Sequence, residues 1–179
     1  MTFFPGAFMK VSTRSLVQLA TICGTLALTG CASISGVPAG TSYSEVVKEF
    51  GNPQATCPLP DGRTRVIWSQ QPSGEQVWVT TVGSDQRVGP FQQMMVANMF
   101  EPLGQGQWDA AKVRCQYGPP ARVQTFPDHP NRVVWEYRFI GGADNQFEML
   151  YVSFDRATHQ MINYSTGPDP EYNLLMNGR

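Results

Sequence analysis

Few residues in this chain could do chemistry. Cysteines stand at positions 23, 31, 57 and 115, histidines at His129 and His159, and 14 acidic residues are spread along the chain. A thiolate can be acylated, oxidised or bound to a metal, an imidazole can move protons, and paired carboxylates can share acid and base work. Spacing removes most of these options. His129 lies in "FPDHPN", which reads as a turn, and His159 lies in "RATHQ", which reads as a hairpin. Neither stands at ligand spacing from a cysteine or from the other histidine. No Gly-x-Ser-x-Gly elbow and no glycine-rich phosphate loop occurs. Glu136 and Glu148 read as cross-strand neighbours over a hairpin at Gly141. With no sign of a cleft around them, they are expected to be exposed strand charges. The expectation is a chain that is not an enzyme and needs no metal and no cofactor.

Cys31 is the exception, because of what precedes it. "MKVSTRSLVQLATICGTLALTGC" begins with Lys10 and Arg14, continues through an apolar run from Leu16 to Leu28, and closes on small residues. That is the order of a secretory signal, residues 1–31, which is set aside from fold reasoning. The apolar run falls short of the ~20 residues that a spanning helix needs. Leu28-Thr29-Gly30-Cys31 resembles the lipobox of bacterial lipoprotein signals. The resemblance implies cleavage before Cys31 and a diacylglycerol on its thiol. Two or more acyl chains would anchor the protein stably, since a single chain binds only reversibly. Ala32 follows where an Asp would retain such a protein at the inner membrane, so the resemblance implies the outer membrane and its periplasmic face. Residues 1–8, "MTFFPGAF", carry no charge, and translation is expected to start at Met9. Residues 32–39, "ASISGVPA", read as a short tether.

The 148 residues after Cys31 carry 11 Lys plus Arg against 14 acidic residues, a net charge near −3. No basic stripe suggests nucleic acid, and nothing calls for a small-molecule substrate. Low charge content with many Gly, Pro and Gln residues suggests a β-rich domain with real loops. Cys57 and Cys115 survive maturation. They could pair in an oxidising compartment. The sequence leaves that open, because a disulfide depends on a Cα separation it does not give.

The organisation comes from an echo. "RVIW" at 65–68 returns as "RVVW" at 132–135, 67 residues later. Val46 falls on Val113, Phe50 on Tyr117, Gly51 on Gly118, Pro53 on Pro120 and Asp61 on Asp128 at that spacing, without a gap. Repeats decide architecture and are taken first. Each copy opens with a short amphipathic helix. Tyr43, Val46, Val47 and Phe50 share a helical face, Ser42 with Glu45 fits a capping box, and Gly51 then Pro53 stop the helix. In the second copy Trp108 or Ala110 begins the face, Val113 and Tyr117 continue it, and Gly118 stops it.

Strands follow. Val133, Trp135, Tyr137 and Phe139 alternate with Val134, Glu136, Arg138 and Ile140, a period of two. Gly141-Gly142 with Asp144-Asn145 reads as a turn, "QFEMLYVSFD" as the next strand and "HQMINYST" as a third. The first copy matches with a strand around Val66 and Trp68, then "QVWVTTV", a turn at Gly83-Ser84-Asp85 and "QRVGPFQQMM". Trp78 then aligns with Tyr151 and Val79 with Val152. The expected fold is α+β. It comprises two tandem helix–β-meander repeats, 40–100 and 101–167, each a short helix on a three-stranded antiparallel sheet, with a tail at 168–179. Trp68 and Trp135 read as core anchors. Met94, Met95, Met99 and Phe100 lie at the joint and are expected to close the core there, since methionine fills irregular gaps.

Gly40, Thr41, Val46, Gly51, Pro53 and Trp68, echoed by Gly106, Val113, Gly118, Pro120 and Trp135, form a pattern that resembles the SmpA/OmlA (BamE-like) outer-membrane lipoprotein family. The pattern covers 40–95 and again 103–165. Members of that family carry one such unit and this chain carries two. A tandem of two also resembles the β-lactamase inhibitory protein fold. The first resemblance implies a lipoprotein that binds envelope proteins in outer-membrane assembly or integrity. The second implies an inhibitor or binding module for a soluble periplasmic enzyme.

Alternation gives a candidate contact face. If one face of each sheet covers its helix, Val66, Trp68, Val79, Val133, Trp135 and Val152 are buried. Trp78 and Tyr151 then face solvent, with Ile67, Glu136 and Arg138 nearby. Exposed aromatics ringed by polar groups make good contact anchors.

Overall fold

Tyr43–Phe50 forms helix α1 and Ala110–Tyr117 forms helix α2. The computed structural model describes residues 33–141 and 146–172. The signal segment, the lipobox residues Leu28, Thr29, Gly30 and Cys31, the turn residues 142–145 and the end of the tail lie outside the described residues. The helices keep the 67-residue spacing, and both stop as expected at a glycine of positive φ, +78° at Gly51 and at Gly118. The carbonyl of each stop accepts a hydrogen bond from an aromatic side chain of the following sheet. Trp68 Nε1 donates to Gly51 O at 2.9 Å and Tyr137 Oη donates to Gly118 O at 3.0 Å. The expected capping box does not form. Ser42 stands at the N-cap of α1, but its hydroxyl bonds to that of Ser44. In α2 the cap is Asp109, which accepts from the Lys112 amide at 2.8 Å.

The chain is α+β with two antiparallel sheets, and each has four strands. The first contains β1 (Ala55–Pro58), β2 (Thr64–Ser69), β3 (Val77–Val82) and β4 (Gln92–Gln93), in that spatial order. The second contains β5 (Arg122–Phe126), β6 (His129–Gly141), β7 (Gln146–Asp155) and β8 (Met161–Pro168), again in order. The sequence predicted three per sheet. The missed strands, β1 and β5, are short edge strands directly after each Gly-x-Pro stop. Their residues alternate only between half-buried and exposed, or less, so they carry no apolar signal. The strand expected across 86–95 shrinks to Gln92–Gln93, with isolated bridges at Ser42–Arg87 and Val82–Val88. Gly89-Pro90 interrupts it, because proline has no N–H to give the ladder.

Residues 33–39 are not a free tether. A 3-10 turn at Ile34–Gly36 buries Ile34, and Val37 packs beside it. These join Val46, Val66, Trp68, Val82 and Val88 in a smaller core between α1 and one face of the first sheet.

The main core lies on the other face of that sheet. Ile67, Val77 and Val79 meet Val113 and Tyr117 of α2, the joint residues Met94, Met95, Phe100 and Leu103, and Tyr137, Phe139, Leu150, Val152 and Phe154 of the second sheet. The methionine-rich joint is therefore core, as expected. The first sheet is covered on both faces, contrary to the expectation that one face of each sheet is open. Burying a second face answers a shortage: one helix on one small sheet removes too little apolar surface from water.

Cys57 of β1 and Cys115 of α2 form a disulfide with Cα atoms 5.8 Å apart. It ties the first sheet to the second helix across 58 residues. Closing a loop of that length stabilises the folded chain by about 4 kcal/mol on the chain-entropy view.

Candidate binding face of the second sheet

The strand register corrects the sequence-derived faces. Trp68 pairs with Trp78 and Ile67 with Val79. Trp78 therefore shares the face of α1, half-buried against the smaller core, and Val79 shares the face of α2. Ile67 is fully buried in the main core. For Trp78 and Val79 the error lay in the phase assumed between β2 and β3, which one sequence does not give across a loop. Neither Trp78 nor Ile67 lies on an open sheet face.

In the second sheet the expected phase holds. Trp135 pairs with Val152 and Tyr137 with Leu150, all toward the main core. Trp135 is half-buried, its ring centroid 4.9 Å from that of Phe154. The opposite face carries Glu136 paired with Tyr151, Arg138 paired with Met149, and Val134 paired with Ser153. Arg122 of β5 stands beside Glu136, and Ser165 of β8 beside Tyr151. Among the described residues neither α1 nor α2 covers this face, and the helical turn of the tail at 170–172 lies over one end of it. Tyr151, Glu136 and Arg138 are thus brought together, and Trp78 and Ile67 are not.

Glu136 is not the exposed charge expected from alternation: only 5% of it is exposed. Arg122 Nε lies 3.7 Å from its Oε2. It is also not a partner for Glu148, which pairs with Phe139 and so points to the other face of the sheet. Burial, then the negative charges of Glu136 and Asp169, push the Tyr151 phenol above its ordinary pKa, and Arg122 opposes them. At neutral pH Tyr151 is a neutral phenol beside charged groups.

The chain's own tail occupies one end of the face. Asp169, 2% exposed, lies 3.5 Å from Arg138 Nη1. Glu171 bridges Arg138 and Arg122, and these hydrogen bonds hold its carboxyl below the usual carboxylate range. Tyr172 stacks on Phe147 with centroids 4.1 Å apart. Sequence reasoning missed Arg122, Asp169 and Glu171. The tail's alternating acids in "PDPEY" are the only signal, and they do not say which arginines they meet. At the other end Phe126, Val134, Tyr151 and Ser153 line a shallow hollow of about 290 Å³, with His129 and Arg132 at its edge.

His129 opens strand β6 as the register partner of Phe126, so the turn is Pro127-Asp128 before it. His159 sits in the β7–β8 hairpin with φ +59°, as expected of a turn residue. Among the described residues no group of three His, Cys, Asp or Glu side chains could hold a metal ion. No helix of the described residues is long and apolar enough to cross a membrane. No protein-family model, curated protein or solved structure matches the chain.

Proposed function

We propose that the chain is a lipid-anchored protein of the bacterial outer membrane that binds another envelope protein through the open face of its second sheet. The anchor is Cys31, and the folded part is a tandem of two helix–meander units of the SmpA/OmlA kind. Support for the location comes from Leu28-Thr29-Gly30-Cys31 behind a basic, apolar segment, and from the Cys57–Cys115 disulfide. Disulfides persist in exported proteins and are rare in a reducing cytosol. Support for duplication comes from two helices, two glycine stops and two first strands at the same 67-residue spacing.

The observation that carries the binding role is a sheet face that neither α1 nor α2 covers, with the tail's helical turn at 170–172 over one end, on which Tyr151 stands among Glu136, Arg122 and Arg138. An aromatic anchor with flanking charges is a common way to gain both contact area and partner choice. No catalytic role is assigned to His129, His159, Glu136 or Glu148.

A photo-crosslinking residue at Tyr151 in intact envelopes tests the proposal, with the same residue at Trp78 as the control. Capture of an outer-membrane assembly component from Tyr151, and not from Trp78, is the expected result. Capture of a soluble periplasmic enzyme would support the inhibitor role that the two-unit fold also resembles. No capture from either position would remove the binding role. Separately, Cys31→Ser is expected to leave the protein unlipidated and absent from the outer-membrane fraction.

A further inference from the structure

Among the described residues, Arg65 of β2 is a cation with no partner of opposite charge. Its side chain points to the α2 side of the first sheet, and its Nε is buried with no hydrogen-bond acceptor among the described residues. Its one side-chain contact of that kind is weak, from Nη2 to the thioether sulfur of Met94 at 3.8 Å. Tyr117 does not supply a charge. Burial pushes that phenol up to about 12, and its hydroxyl already donates to Met99 O at 2.7 Å. Burial also lowers the pKa of Arg65 itself. A guanidinium stays protonated in proteins, so the chain cannot escape the cost by neutralising it. A part-buried charge without an ion partner is costly, and an apolar side chain of similar length would avoid that cost.

Arg65 borders a cleft of about 410 Å³ between the two halves of the chain. One wall is the Pro58-Leu59-Pro60 turn, and the other is Trp108. The indole cannot swing aside freely, because Nε1 donates to both Pro102 O and Gln105 O at 2.9 Å. Lys112 stands at the same cleft, with Nζ on Gln107 O at 3.0 Å. The lining has two cations and no carboxylate, in a chain whose net charge is −1.

We propose that this cleft is a binding site for a carboxylate carried on a flat apolar body. The carboxylate takes the Nη N–H groups of the Arg65 guanidinium, whose planar fork matches its geometry. Lys112 adds a second positive charge at the rim, and the apolar body lies between Trp108 and the proline turn. The site is separate from the open face of the second sheet. It stands or falls without regard to the partner-binding role.

The test uses the full chain with its disulfide intact and three simple probes: benzoate, benzamide and inorganic phosphate. The readout is the NMR signals of the Trp108 indole N–H and the Arg65 Nε–H. Benzoate is expected to shift both signals saturably, while the neutral, isosteric benzamide leaves them in place. Arg65→Met should abolish the benzoate response and melt no lower than the parent, which separates lost binding from lost folding. Lys112→Met, at an exposed position, should weaken benzoate by at most about fivefold, as expected for loss of one partly screened charge. Equal shifts with benzamide, an undiminished benzoate response in Arg65→Met, or no saturable benzoate shift would each overturn the site. Saturation by phosphate without benzoate would overturn the carboxylate assignment.

Discussion

Gln71 and Arg138 stand 67 residues apart, at matching positions of the two halves, and they bond to each other. Gln71 Nε2 donates to Arg138 O at 2.7 Å, and Gln71 Oε1 accepts from Arg138 N at 3.0 Å. The reason lies in the length of β6. Its pairing with β5 ends at Arg122–Glu136, with Ala121 N donating to Glu136 O, while β6 runs on to Gly141. Beyond Glu136 that edge offers main-chain groups with no strand beside them. An amide side chain has one donor and one acceptor in the spacing of a peptide group, so Gln71 takes the place of the missing strand.

That geometry predicts an asymmetry between substitutions. Gln71→Ala removes two part-buried hydrogen bonds and should cost about 1–3 kcal/mol. Gln71→Glu should cost at least as much, because a carboxylate cannot donate to Arg138 O and sets two acceptors against each other. Urea denaturation checks the order, and faster amide exchange at Arg138 in both variants checks the location. Unchanged exchange there would show that the edge is protected by something else.

The two glycine stops make a second comparison. Both have φ +78° with ψ near 180°, a region essentially restricted to glycine. A side chain at either should cost about 1–3 kcal/mol from backbone strain alone. The surroundings differ. A Cβ on Gly51 would meet nothing within 4 Å, whereas a Cβ on Gly118 would meet Ile67 Cγ2 at 3.0 Å. Gly118→Ala should therefore destabilise more than Gly51→Ala, since Ile67 is fully buried and has little room to yield. Equal thermal shifts for the two would remove the packing part of this account.

Much of this architecture was legible from residue types, and the limits have physical causes. The helices and their stops were readable because Val46, Val113, Gly51 and Gly118 carry a local signal: a 3.6-residue face closed by glycine. Strands β6 and β7 were readable because their alternation is long. Strands β1 and β5 were not, because an edge strand such as Arg122–Phe126 needs no apolar face. Trp78 was assigned to the wrong side because alternation fixes two faces per strand but not which face meets its neighbour's. Ile67 was misplaced for a different reason. The stacking of one unit on the other buries a face that a single unit would leave open. The Arg138–Glu171 pair was unreadable, since 33 residues separate its members and neither has a local pattern.

The tail should respond to acid. Arg138 and then Arg122, through their hydrogen bonds, hold the Glu171 carboxyl below its ordinary value. A group whose folded pKa is depressed stabilises the folded contact above its unfolded pKa, and that contribution is lost as pH falls through the folded value. The tail contact is therefore expected to be intact at neutral pH and to loosen only in acid, below the usual carboxylate range. Glu171 is exposed, so salt should loosen it as well. Ring-current shifts of Phe147 and Tyr172, stacked at 4.1 Å, report the event directly. Loosening that begins near pH 7 would mean a different group controls the tail.

Trp78 and Tyr151 occupy aligned positions in the two halves, yet their surroundings predict opposite phenotypes. Trp78 packs on the smaller core with Trp68 and α1, on a face that α1 covers. Replacing it with alanine removes apolar contact beneath a helix and should cost about 2 kcal/mol, less than the 3–5 kcal/mol of a fully buried aromatic. In a domain of this size that is a drop of roughly 4–8 °C in melting temperature. Tyr151 belongs to neither apolar core and stands on the open face beside Glu136 and Ser165. Tyr151→Ala should lower the melting temperature less than Trp78→Ala does, and should abolish crosslinking to the partner from neighbouring positions on that face. Trp78→Ala should leave crosslinking intact wherever the chain remains folded. The two readouts are independent: a melting curve for each variant, and capture from a photo-crosslinker at Ser165, exposed beside Tyr151. A Tyr151→Ala variant that melts as low as Trp78→Ala while still capturing its partner would reverse both roles and move the contact surface off the second sheet.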